Sequence, residues 1–255
     1  MNYALAREIF ESYLNHYDRA DDKVRLKIVH TYGVVGQSTN IARRMRLSEE
    51  DTELAKLIAL LHDLGRFEQL RRFDSFEPDA MDHAAYGVQV LFEEGMIRKF
   101  LEEDIWDTII RTAIAKHSDY KLTGISDART LLHARLIRDA DKLDNCRVKL
   151  MDDTETFLGA SEEEIGAQEI SPGIYDAIFK KQCILSKDRI TTMDYWVSYI
   201  AYFFDINYRE SMDIILENDY ISRIIRRIPY TNPKTAEQMD TIEAYVKRYA
   251  ESMVK

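Results

Sequence analysis

Apolar residues recur every three or four positions along nearly the whole chain, and no stretch alternates cleanly in the manner of a half-buried strand. That periodicity predicts helices over about 3–19, 22–45, 49–64, 79–94, 102–117 and 127–151. In the second half it predicts them over about 173–182, 192–205, 208–218, 219–228 and 233–252. Local start and stop signals sharpen several ends. Ser48 precedes the acidic turn Glu49-Glu50-Asp51, and Gly65 follows the last apolar positions of its segment. Gly95 closes the segment that begins after Pro78. Asn207 with Glu210 resembles a capping box, and Asn232 before Pro233 reads as an N-cap with proline at the first helical position. The stretch 152–172, acidic and containing Gly159, Gly166 and Pro172, is the least regular. It marks the boundary expected between a helical core, residues 1–151, and a C-terminal helical extension, residues 152–255, packed on it.

Composition agrees with an all-α chain. Only 9 glycines and 4 prolines occur in 255 residues, too few for a turn-rich sandwich, barrel or propeller. The net charge of −10 repels nucleic-acid backbone and anionic lipid, so no nucleic-acid polymer and no membrane is expected as partner. Two cysteines, Cys146 and Cys183, are too few for a disulfide framework and lack metal-type spacing, which points to a reducing, cytoplasmic setting.

The chemistry sits in histidines and carboxylates. His62-Asp63 ends the apolar run ALLHDLGRFEQ, where a charged group is costly to bury without a partner. Taken alone, the pair fits a local hydrogen bond as well as a pair of metal ligands. His30 lies inside the second helix. His83 opens the fourth, as a ligand or as a cap or surface residue. His117 ends the fifth, as a ligand or as a cation favoured by the helix dipole. Asp141 interrupts the apolar face of LIRDADKLDNCRV and reads as a ligand, with Asn145 one turn on, whereas Asp139 and Asp144 read as a solvated face. His16 and His133 read as ordinary side chains. Neutral imidazole and carboxylate together suit divalent metals such as Zn, Fe and Mn.

The ordered set His30, His62-Asp63, Asp141, with its flanking words LLHDLGRFEQ and RDADKLDN, resembles the H…HD…D signature of the HD superfamily of metal-dependent phosphohydrolases. That resemblance implies an all-α HD-domain helical bundle with additional C-terminal helices. His83 and His117, falling between the HD pair and the last Asp, resemble the binuclear branch. The implied ligand set is His30, His62 and Asp141 on one divalent ion, His83 and His117 on a second, and Asp63 bridging as a catalytic carboxylate. The identity of the two ions (Fe, Mn, Zn, Mg, Co or Ni) is left open. Hydrolysis of a small phosphorylated metabolite or nucleotide also needs cations for the phosphoryl oxygens. Arg66, in the HDLGR word, is the first candidate for catalysis and substrate binding, followed by Lys116, Lys142 and the neutral donor Asn145. The same ligand types serve HD-fold di-iron oxygenases, and a degenerate HD domain can act as a ligand sensor. The Gly-Tyr-Pro segment of cyclic-dinucleotide phosphodiesterases is missing. The ADKL word is shared with alarmone hydrolases, which lack the extra histidines. A homodimer is compatible with the resemblance. Arg223, Arg226 and Arg227 form a small basic cluster that reads as a solvated helix face or as a phosphate contact.

Overall fold

The computed structural model describes residues 2–77 and 79–255, and among these it is 71% helical with no strand. The chain divides into two compact units, residues 1–144 and 145–255, and the division falls inside a single long helix.

In the first unit α1 is Tyr3–Leu14, α2 is Asp22–Arg44, α3 is Glu49–Leu61, and α4 is Leu64–Phe73. Next come α5, His83–Val88, running into a π-turn over Gln89–Glu93, α6, Ile97–Phe100, and α7, Asp107–Lys116. The eighth helix, α8, is Ala128–Met151. Start signals act as expected where a side-chain oxygen reaches a free N–H: Ser48 accepts from Asp51 N, and Asp21 accepts from Val24 N. Leu54, Ile58, Leu60, Leu61 and Leu64 are fully buried, and Phe10 packs edge-on against Phe67 at 6.0 Å and Tyr32 at 6.1 Å. Each such side chain contributes roughly 1.5–3 kcal/mol by leaving water.

Gly65 does not end a helix. The third helix stops at Leu61 and α4 follows almost at once, where the sequence predicted none. A Cβ on Gly65 would overlap the His83 carbonyl and stand 2.8 Å from Gly87 N, so glycine there allows α4 and α5 to approach backbone to backbone. The segment expected at 102–117 is also shorter: its helix, α7, begins only at Asp107.

The second unit holds α9, Thr154–Leu158; α10, Glu162–Gly166; α11, Pro172–Ile178; and α12, Thr192–Ala201, extended by a 3₁₀ turn to Asp205. It ends with α13, Arg209–Glu217; α14, Tyr220–Arg227; and α15, Pro233–Val254. The irregular 152–172 stretch therefore carries two short helices. Asn232 caps α15 as its sequence indicates, accepting from Lys234 N and Thr235 N. The N-cap of α13 is Tyr208, one residue beyond the expected Asn207, and Tyr208 makes no side-chain cap bond. Trp196 is fully buried. In the basic cluster Arg223 and Arg226 are exposed, as on a solvated helix face, whereas Arg227 is largely buried. Arg226 pairs with Asp240 and Glu243, while Arg227 pairs with Glu162 and donates to the carbonyls of Lys149 and Asp152. Arg223 donates to Asn218 O.

Candidate metal centre

The HD pair lies at a break between two helices. His62 is the C-cap of α3 and Asp63 the N-cap of α4. An aspartate in that position normally accepts from its own helix, which is worth about 1 kcal/mol. Asp63 makes no such bond. Its carboxylate, 3% exposed, is turned instead into a cluster of histidines and cations.

The two oxygens of Asp63 face different partners. Oδ2 lies 3.6 Å from His62 Nε2, 4.0 Å from His30 Nε2 and 2.6 Å from Lys27 Nζ. Oδ1 lies 3.3 Å from His83 Nε2, 3.5 Å from His117 Nε2 and 3.9 Å from Arg66 Nε. Asp141 Oδ1 stands 3.0 Å from His30 Nε2 and 4.0 Å from His62 Nε2. Two groups have one donor atom from each residue within 4.8 Å of the others: His30, His62 and Asp141, and His62, Asp63 and His117. His83 Nε2 and His117 Nε2 approach to 3.1 Å.

Outer contacts fix which ring nitrogen faces inward. His62 Nδ1 is 2.8 Å from Ala59 O, and His117 Nδ1 is 2.7 Å from Ile114 O. A carbonyl only accepts, so both Nδ1 atoms donate and both Nε2 atoms carry a lone pair in the neutral ring. His30 Nδ1 is held by Asp144 Oδ2 at 2.8 Å. The Nε2 atom of His62 is buried without a hydrogen-bond partner, while that of His30 faces Asp141 Oδ1 at 3.0 Å. An orphaned acceptor beside carboxylates is what a divalent cation satisfies, and the carboxylate- or carbonyl-anchored histidine is the usual support of a metal ligand. The residues fit a metal.

Electrostatics favour the same use. Burial pushes His62 down to about 4 and, with the Arg66 charge, holds His83 well below its ordinary value, so both rings are neutral at neutral pH. Burial alone would raise Asp63, but Lys27 and His62 outweigh it and hold it well below the carboxylate range. Asp141 is likewise lowered, because His30 outweighs burial. For His30, burial and Lys27 pull down while Asp141 and Asp144 pull up, and the carboxylates prevail.

The structure therefore brings His30, His62, Asp63, His83, His117 and Asp141 together, with Arg66 among them. Arg66 also reaches His83 Nε2 at 3.0 Å, Gln69 Oε1 and the Phe76 carbonyl. Lys116 turns to Asp119 at 3.4 Å, and Lys142 Nζ lies 3.4 Å from Arg138 O. Asn145 follows one turn beyond Asp141 on α8 and is half-buried. Asp139 and Asp144 are buried, not solvated. A carboxylate is kept inside at Asp144 because it anchors His30 and packs where Gly33 has no side chain. Sequence reasoning also passed over Lys27 and over Arg138. The latter is buried and donates to the carbonyls of Lys116, His117 and Asp119, tying down the end of α7 that carries His117. A basic residue in an otherwise apolar helix stretch was the available signal for Arg138. A basic residue one turn before His30 was the signal for Lys27.

Buried histidines and aspartates thus converge from separate helices of one helical bundle into groups that could hold a divalent metal. Residues 28–146, a little under half of the chain, match the HD domain family. No curated protein and no solved structure matches the chain. Among the described residues no helix is long and apolar enough to cross a membrane.

Proposed function

We propose that the chain is a metal-dependent phosphohydrolase, a phosphomonoesterase or phosphodiesterase, acting on a small phosphorylated metabolite or nucleotide. One observation carries the reading: the two oxygens of Asp63 face two separate histidine sets, the arrangement a bridging carboxylate needs. His30, His62 and Asp141 would hold one divalent ion and His83 and His117 the other, with Asp63 common to both. When bound, such a pair makes water acidic enough to attack near neutral pH and offsets charge on a phosphoryl group. The chain's own residues do the rest. Asp144, Ala59 O and Ile114 O keep the ligand rings aimed. Arg66, 13% exposed beside Asp63 and His83, offers a guanidinium to phosphoryl oxygens. Lys116, Lys142 and Asn145 are further candidates for contacts with the substrate.

The test is elemental analysis of protein purified without added metal, followed by anaerobic assays on p-nitrophenyl phosphate and a panel of nucleotides. Two equivalents of divalent metal and turnover without oxygen are expected. His62→Ala and Asp63→Ala should lose both while the helical circular dichroism stays near normal. Protein that takes up no divalent metal refutes the reading, and iron with oxygen consumption but no hydrolysis replaces it with a di-iron oxygenase.

A further inference from the structure

Lys27 brings an ammonium to the Oδ2 side of Asp63. It lies on α2 one turn before His30, its side chain is 13% exposed, and its Nζ is 2.6 Å from Oδ2. Its ring neighbour is Phe76, whose centroid is 5.8 Å from Nζ, and the Phe76 carbonyl is held by Arg66. Lys27 and Arg66 thus flank opposite oxygens of one carboxylate, each largely out of water.

Lys27 is within hydrogen-bond reach of Oδ2, whereas Arg66 Nε stands 3.9 Å from Oδ1. An ammonium has no acceptor capacity and cannot ligate a cation, so it competes with a metal ion for the same oxygen. Resting on the hydrolase reading above, we propose that Lys27 is a substrate-binding residue with two alternative partners. It neutralises Asp63 Oδ2 when the site lacks ions, and it binds a phosphoryl oxygen of the substrate when Asp63 is committed to metal. Arg66 needs no such exchange, because its guanidinium already has His83 Nε2, Gln69 and the Phe76 carbonyl. A compact, flexible ammonium on a four-carbon stem suits the movable role, and the planar fork suits the fixed one.

The experiment is calorimetric titration of the metal-free full chain with Mn²⁺, comparing wild type, Lys27→Met and Lys27→Arg. Inorganic phosphate is then titrated into each Mn²⁺-loaded protein. Removing the ammonium both frees Oδ2 and relieves repulsion between Lys27 and the ions. A charged hydrogen bond of this kind corresponds to about ten- to hundredfold in an equilibrium constant, so K27M should bind Mn²⁺ at least about tenfold more tightly. K27M should also bind phosphate at least about tenfold more weakly, with K27R, which keeps the charge but not the compact ammonium, falling between wild type and K27M in both titrations. Metal affinity unchanged in K27M overturns the competition, and phosphate affinity unchanged overturns the transfer to substrate. If K27M does not fold, K27R with Lys27→Gln carries the same comparison. Tighter metal binding in K27M combined with no phosphoester turnover by wild type would sink the hydrolase reading alone and leave the competition for Asp63 standing.

Discussion

Gly33→Ala tests whether the outer contact on His30 matters to the site. Gly33 lies on α2 one turn after His30, and the Asp144 carboxylate occupies the space a side chain would need. A methyl there would stand 2.8 Å from Oδ2, the oxygen bonded to His30 Nδ1, and overlap the rest of the carboxylate. To regain ordinary separation of about 3.5 Å from its nearest atom, 1.9 Å away, the carboxylate must retreat by about 1.6 Å, which breaks the 2.8 Å bond. Two effects oppose each other. Alanine is better than glycine in a helix by about 1 kcal/mol. Losing a buried, charge-assisted hydrogen bond costs about 1.5–3 kcal/mol. The loss wins, leaving the variant about 0.5–2 kcal/mol less stable in urea titrations. Metal affinity, read by calorimetry, should fall by about 10- to 100-fold, as it does when a ligand's support is removed. Gly36→Ala is the internal control, on the same helix with nothing within 4 Å of its would-be Cβ. It should gain about 1 kcal/mol and leave metal binding unchanged. If G33A is as stable as G36A and binds metal like wild type, the role assigned to Asp144 is wrong.

Three further outcomes are expected. His133, buried against Asp51 at 3.1 Å, has its pKa lowered because burial outweighs the aspartate. The unfolded state therefore takes up the proton first, near pH 6.5, so stability present above that pH is lost as pH falls through the lower folded value. His133→Gln should show a smaller loss of urea midpoint between pH 7.5 and 5.5 than wild type, and an equal loss would dismiss the assignment. Arg138→Gln strips the donor from three carbonyls at the end of α7, and should weaken metal binding by about tenfold with a lowered melting temperature. Chelation should lower the melting temperature of metal-loaded protein, since a ligand at 100 times its Kd adds about 2.7 kcal/mol. A melting temperature indifferent to both metal and chelator would argue against a site in the folded state.

The donor set was legible because its residue types are scarce and ordered along the chain. His30, His62-Asp63 and Asp141 stand out by their order and flanking words, and His83 and His117 join them through the resemblance to the binuclear branch of the HD superfamily. The support of the site was less so. Asp144 and Asp139 were read as solvated, because periodicity treats charge as outward and cannot see the imidazole that makes burial of Asp144 tolerable. Lys27 drew no reading, since its partner lies 36 residues away. Gly65 was read as a helix stop because a stop and a close helix approach call for the same residue. Only the contact with His83 O and Gly87 N separates them, and with that misreading α4 was lost. Ser48 and Asn232 succeeded because capping is settled within a few residues of chain.

Successive ligand positions are 20 to 34 residues apart, from His30 through His62-Asp63, His83 and His117 to Asp141. An ion held by them closes several mid-length loops at once, and each closure removes openings that would otherwise occur independently. In hydrogen exchange, α2, α5, α7 and the first part of α8 should then open as one cooperative unit when metal is bound and as separate units without it. The centre would thus set which parts of the first unit breathe together, a dynamic property distinct from any step of catalysis.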